Sequence, residues 1–229
     1  GALRVATAGL IDQIALRTAA IDEALIEAID VGVRQVIVLG AGLDARAYRL
    51  SALADARVFE VDHPASQRYK TRRLGALTPR CRSLTHVPVD FVRDDLALSL
   101  AAAGHDEGAP SFWIWEGVTM YLPREATRAT LDAVRRRSCP GSWLAMTYMK
   151  TETDLLPAPL RDALSAVLGV FGEPLRSSYQ PEEAAELLSE EGFAVLSDRN
   201  SQDWAPRFGG SSALAFAFRS ERLAVAARR

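Results

Sequence analysis

The sequence predicts an α/β fold of the Rossmann-like kind, a mostly parallel sheet with helices on both faces. Three observations predict it. Short apolar runs alternate with amphipathic stretches along most of the 229 residues, the pattern of a sheet covered on both sides. The stretch VIVLGAGLDARAYRL, residues 36–50, joins an apolar run to a helix start through a glycine turn. The second, third and fourth apolar runs end on carboxylates: Asp62, Asp90 and Glu116.

In chain order, residues 10–30 form an amphipathic helix, with Ile11, Ile14, Thr18, Ile21, Leu25 and Ile29 on one stripe. Strands are expected at 35–39, 57–61, 85–89, 111–116 and 142–148, with helices near 44–50, 64–74, 94–103 and 123–138 between them. The tail departs from this rhythm. Residues 157–171 read as a helix, and Pro181 opens another over 181–191 that Gly192 stops. Strands at 193–197 and 213–218 follow. The loop between these strands is too short for a helical crossover, so the last strand is expected to be antiparallel to its neighbours. The whole, 1–229, reads as one domain: an N-terminal helical segment, 1–33, and a Rossmann-like core, 34–229.

Composition excludes several function classes. Apolar residues make up 48% of the chain and charged residues 24%, with a net charge of -2, which offers no basic footprint for nucleic acid. The one tight basic run, Arg135-Arg136-Arg137, sits near a helix end, where cations suit the dipole, and reads as a solvated face. Cys81 and Cys139 stand alone, without metal-ligand spacing, so no metal and no disulfide is expected and a reducing cytoplasm is. No apolar run approaches the ~20 residues of a membrane span, and no signal peptide is visible. Oligomeric state is not readable.

In an open parallel sheet, ligands bind beyond the carboxyl ends of the strands. At those ends lie Gly40, Ala41 and Gly42, then Asp62 with His63, then Asp90 with Phe91, then Glu116 with Gly117. Each position also has a purely structural reading. The glycines make a tight turn, the two aspartates cap the helices that follow, and Glu116 is a solvated loop residue. Together they point to a nucleotide-type site. Gly40, Gly42 and Ala45 even satisfy the dinucleotide fingerprint. Asp62 can accept hydrogen bonds from both hydroxyls of a ribose, which suits NAD and S-adenosylmethionine equally. Asp44 decides between them, because it puts a carboxylate at the helix start where a pyrophosphate would sit. S-adenosylmethionine carries no phosphate. Asp90-Phe91 can take an adenine amino group and stack on the base. Arg17, within ALRTAAID, offers a guanidinium to a methionine carboxylate or is simply a surface arginine.

With these residues assembled, the chain resembles the leucine carboxyl methyltransferase family. That group of class I S-adenosylmethionine-dependent methyltransferases includes bacterial polyketide O-methyltransferases. The matching stretches are RTAAID, QVIVLGAGLDARAYRL, VFEVDHP, VPVDF and WIWEGVTMYLP. The resemblance runs from about Thr18 to the last strand, is strongest over 34–149, and is specific as an ordered set rather than in any one piece. It implies a seven-stranded sheet with its last strand antiparallel. It also implies that Arg17 holds the methionine carboxylate, the Gly40 turn passes under the methionine portion, Asp62 binds the ribose, and Asp90 with Phe91 binds the adenine end. Glu116 then lies near the methionine amino group. Two departures stand out. Ala45 replaces a usual threonine, and family members carry a longer N-terminal segment, with a lysine in the phosphatase-directed ones.

Methyl transfer from a sulfonium is an in-line displacement that needs alignment and exclusion of water. A carboxylate acceptor needs no base, whereas a phenol would benefit from one. Only His63, His86 and His105 are present and no His/Asp pair is visible, so no catalytic side chain is assigned. The expected reaction is O-methylation of a carboxyl group on a small acidic metabolite, with Tyr121, Tyr148 and Arg176 as acceptor contacts. A protein C-terminus is the less favoured acceptor. Two alternatives are a non-catalytic S-adenosylmethionine-binding module, which would share these features, and an NAD-dependent oxidoreductase. For the latter, YMK at 148–150 lacks the usual relay spacing.

Overall fold

Seven strands form one sheet in the order β3-β2-β1-β4-β5-β7-β6. They are β1 (Gln35–Leu39), β2 (Arg57–Asp62), β3 (Ser83–Pro88), β4 (Ser111–Trp115), β5 (Trp143–Met149), β6 (Phe193–Asn200) and β7 (Glu221–Arg228). The computed structural model describes residues 10–151, 175–209 and 219–229. Pairs among β1 to β5 are parallel, while β7 runs antiparallel to both β5 and β6. The chain builds outward from β1 through β2 to β3, then returns to β4 on the other side of β1. The strand order therefore reverses between β1 and β4, and a crevice opens at their carboxyl ends.

The described helices are α1 (Leu10–Asp30), α2 (Arg46–Arg49), α3 (Pro64–Leu74), α4 (Leu96–Ala102), α5 (Arg124–Arg136), α6 (Pro181–Glu190) and α7 (Ser201–Phe208). They cover both faces. Trp113 and Trp115 of β4 enter the core shared with α4, α5 and α6, while Phe112 and Ile114 enter the core shared with α1 and α7. This period of two with both faces apolar is why β4 reads as an unbroken apolar run. Among the described residues, no helix is long and apolar enough to cross a membrane.

Three expectations need correction. The helical stripe of α1 holds from Ile21 onward, but Ile11 and Ile14 are 44% and 43% exposed, while Asp12, Gln13 and Leu16 turn inward. Gln13 bonds Glu221 there, while Leu16 joins the apolar core. Second, β6 runs on to Asn200, and α7 intervenes where a plain loop was expected, opened by a capping box of Asn200 and Asp203. The antiparallel last strand is Glu221–Arg228; the strand expected at 213–218 and the helix expected at 157–171 lie outside the described residues. Third, the basic run is not a solvated face throughout. Arg137 is buried and pairs with Glu107 and the carbonyl of His105, whereas Arg135 and Arg136 pair at the surface with Asp132.

His105 itself is 4% exposed. It lies between the rings of Phe59 and Trp113, with Nε2 at 2.9 Å from Ser111 Oγ and Nδ1 at 3.2 Å from Arg137 Nη2. Burial, then the nearby Arg137 and Arg57 cations, lower its pKa to about 4. Below its unfolded value of 6.5 the unfolded chain therefore binds a proton that the native state refuses, so stability falls as pH drops from about 6.5 toward 4. Urea unfolding at pH 7 and pH 5 should show a loss of about 2 kcal/mol from this group, absent in His105→Asn. Equal losses in both proteins would reject the assignment.

Candidate functional site

The carboxyl edge of β1, β2 and β4 is built by backbone turns that the glycines permit. The amides of Gly40 and Ala41 both donate to Val61 O, at 2.8 and 3.0 Å, and so lock the β1 turn to the end of β2. Gly40 has φ +69°, and a Cβ there would run into Val118 Cγ2, so both conformation and space require glycine. Gly42 then donates its amide to Asp62 Oδ2 at 2.5 Å, and the amide of His63 donates to Asp62 Oδ1 at 2.7 Å. Asp62 is thus not the cap of α3. His63 is, accepting from the Ala65 amide through Nδ1 at 3.2 Å. Asp62 is half-buried, and each of its oxygens keeps a further lone pair for a ligand.

Beyond β3, Asp90 does not cap α4 either, since Asp95 does so through the Leu98 amide at 3.0 Å. Asp90 closes its own turn, with Oδ1 accepting from the Val92 amide at 3.0 Å, and Phe91 packs partly buried against the core.

Glu116 is no solvated loop residue. Arg17 Nε donates to its Oε1 and Arg46 Nη1 to its Oε2, both at 2.8 Å. Arg46, which sequence reasoning missed, is the hub. Its buried guanidinium also meets Asp22 at 2.7 Å and contacts Asp44. Arg49 adds a second bond to Asp22 from a more exposed position. Arg17 in turn bonds Glu221, at the start of β7, and Gln13 Nε2 donates to the other Glu221 oxygen at 2.9 Å. The remaining amino group, Arg17 Nη2, lies over Gly117, where a Cβ would stand 3.6 Å away. Gly117 has φ +68° and donates its amide to Thr147 Oγ1 at 2.7 Å.

The ionisation of this network follows from its geometry. Burial raises the Glu116 pKa, but the flanking Arg46 and Arg17 guanidiniums outweigh it and hold the carboxyl below its usual range. Burial likewise disfavours the charged form of Arg17, and Glu221 and Glu116 outweigh that too. Arg46 is shifted in the same direction by Asp44, Glu116 and Asp22. The carboxylates of Asp22, Asp44, Glu116 and Glu221 face the guanidiniums of Arg17, Arg46 and Arg49. The edge therefore carries an excess of negative charge, to which Asp62 adds.

Asp44 acts differently from expectation. Its charge is met by Arg46, so simple repulsion of a phosphate does not follow. The helix start is a weak anion site for a local reason. Asp44 Oδ1 already accepts the Arg46 amide at 2.7 Å, and α2 has only four residues to supply a dipole.

The acceptor candidates divide. Tyr121 belongs to a 3₁₀ turn, Thr119–Tyr121, that follows β4. The Arg176 amide donates to Met120 O in that same turn at 2.7 Å, which brings the two residues to one loop. Tyr148 is not brought to them. It is fully buried, and its hydroxyl donates to Asp198 Oδ2 at 2.6 Å, so the expected acceptor contact is met instead by an internal partner. A groove of about 520 Å³ lies along α3 and β3, lined by Gln67, Arg68, His86 and Pro88, and includes none of Gly40, Asp62, Asp90 and Glu116. Among the described residues no cluster of histidine, cysteine or carboxylate could hold a metal.

The family model for leucine carboxyl methyltransferases matches residues 2–135, which contain Arg17 and every strand-end residue through Gly117. A Streptomyces coelicolor protein, named as a candidate S-adenosyl-L-methionine-dependent methyltransferase, is 39% identical over 187 residues, covering 79% of this chain and 60% of that protein. A Mycolicibacterium smegmatis protein of similar name is 46% identical over 138 residues, covering 60% of this chain and 46% of that protein. The chain thus spans about half to three fifths of the length of the curated relatives it matches. In fold, a crystal structure of a candidate methyltransferase from Thermobifida fusca aligns with a TM-score of 0.71 and 19% identity, over 96% of this chain and 83% of that one. The sheet order, the switch point between β1 and β4 and the antiparallel β7 are those of the class I methyltransferase fold. The chain belongs to the leucine carboxyl methyltransferase family.

Proposed function

We propose that this chain binds S-adenosylmethionine at the strand ends and transfers its methyl group to a carboxyl oxygen of a small acidic metabolite. The observation that carries this reading is the acidic edge around Arg17, Glu116 and Arg46. The cofactor bears a sulfonium, an ammonium and one carboxylate, a net positive charge. An edge with surplus carboxylates and one guanidinium amino group turned over Gly117 has complementary charges for all three. Asp62 would take the ribose hydroxyls, Asp90 and Phe91 the adenine, and the Gly40–Gly42 turn with His63 would line the cofactor between them. Free Cys81 and Cys139 support a cytoplasmic setting.

The cofactor supplies an electrophilic methyl group. The chain's residues would fix its ends and shield the reacting centre from water. A carboxylate acceptor is ionised at pH 7 and moves no proton, which agrees with the roles of the histidines. His63 caps a helix, and His105 is bonded to Ser111 at the amino end of β4. Tyr121 and Arg176 would contact the acceptor. Arg176 is exposed and its cation suits a carboxylate.

Incubation with methyl-labelled S-adenosylmethionine and a panel of small carboxylic acids should yield a labelled product. Mild alkali should release that label as volatile methanol. Label that resists alkali would reject the carboxyl acceptor while keeping methyl transfer. Cofactor binding without any labelled product would favour a binding module instead.

A further inference from the structure

Glu221 lies far from the glycine turn in sequence, yet it reaches the same edge because of topology. An antiparallel strand begins where its parallel neighbours end. β7 pairs with β5 in a register that sets Glu221 against Met149, the last residue of β5. Glu221 is buried, and both its oxygens are used: one by Arg17 Nη1, the other by Gln13 Nε2 at 2.9 Å. With Arg17 Nε bound to Glu116, two of the three guanidinium nitrogens are tied down, and Nη2 lies over Gly117. A lone arginine on a helix has a long, mobile side chain whose ordering costs rotamer entropy. Two carboxylates, one just beyond β4 and one at the start of β7, remove that freedom before any ligand arrives.

We infer that Glu221 is a positioning residue for the cofactor's amino-acid end, acting through Arg17 and itself held by Gln13. This rests on the cofactor reading above. Glu221 bonds Arg17 and Gln13, both on α1, and so bears on the site through the arginine. Its influence should therefore fall on ligands that carry a carboxylate and spare those that lack one.

The test is a pair of titrations on the full chain, with S-adenosylhomocysteine and with 5′-methylthioadenosine, which has the nucleoside and sulfur but no amino acid. Glu221→Gln keeps the size of the side chain and removes its charge. S-adenosylhomocysteine should bind about tenfold or more weakly to the variant, from loss of a charge-assisted contact. Methylthioadenosine should change by less than about twofold. Arg17→Gln should show the same ligand selectivity, and the double variant should be no weaker than Arg17→Gln alone. Equal weakening of both ligands would mean a merely structural role and overturn the inference, as would unchanged binding of S-adenosylhomocysteine. If Glu221→Gln fails to fold, Gln13→Ala, which frees the other Glu221 oxygen, should give the same selectivity in smaller measure, and its absence would count equally against the inference. Failure of the unaltered chain to bind S-adenosylhomocysteine would overturn it too, and would sink the cofactor reading separately.

Discussion

Arg46→Met is expected to lower the unfolding free energy by about 3–5 kcal/mol, the range for removing one partner of a buried ionic network. The guanidinium of Arg46 is 4% exposed and serves Asp22, Asp44 and Glu116 together. Methionine fills much of the volume but leaves three half-buried carboxylates facing one another, with only Arg17 and Arg49 nearby. Urea unfolding at pH 7 measures the loss. Arg49→Met is the control, because Arg49 pairs with Asp22 and is 40% exposed, so it should cost less than about 1 kcal/mol. The pH dependence carries a second signature. Glu116 has its native carboxyl held below the usual range by Arg46 and Arg17, so its contribution is present above its unfolded pKa of 4.5 and is lost as pH falls through the lower native value. In Arg46→Met the crowded carboxylates should gain from protonation, and the gap to the unaltered protein should narrow below about pH 4.5. A gap below about 1 kcal/mol at pH 7 would mean that the network is not a structural hub.

Asp62→Ala is expected to weaken S-adenosylmethionine binding roughly ten- to a hundredfold, or about 1.5–3 kcal/mol for hydrogen bonds to a charged acceptor. Geometry adds to the effect. Asp62 also receives the amides of Gly42 and His63, so its loss frees the glycine turn that lines the same pocket. Asparagine is no conservative replacement, because its amide nitrogen would confront one of those two N–H donors with a third. Calorimetric titration of a variant with an unchanged melting profile separates binding from folding. An unchanged dissociation constant would confine Asp62 to holding the turn.

The parts of the site that were legible in the sequence are those whose meaning is local. The glycine turn, the carboxylates ending β2 and β3, and Glu116 after β4 all follow from what stands at the end of an apolar run. The sequence predicts the antiparallel final strand as a topology but not in position, because ERLAVAAR carries charges at its ends while the ALAFAF before it is uniformly apolar. Arg46 and Glu221 were missed for one reason. Their roles depend on partners far away in sequence, Arg46 meeting Glu116 across 70 positions and Glu221 meeting Arg17 across 204. Nothing in DARAYRL or ERLAV announces such partners. Asp44 was misjudged for the converse reason. Its cation stands two positions away, but whether Arg46 points back to it or outward to solvent depends on burial, which periodicity in a four-residue helix cannot reveal. Tyr148 shows the limit of reasoning from strand ends alone. It stands near the carboxyl end of β5, yet its place in the strand's alternation turns it into the core toward Asp198.

One titration tests the central claim most directly. The purified chain is titrated with S-adenosylmethionine, S-adenosylhomocysteine and NAD under the same conditions. The acidic edge, the engaged amide at the start of α2 and the network around Arg17 predict heat of binding for the first two ligands and none for the dinucleotide. NAD bound more tightly than the methyl donor would contradict it.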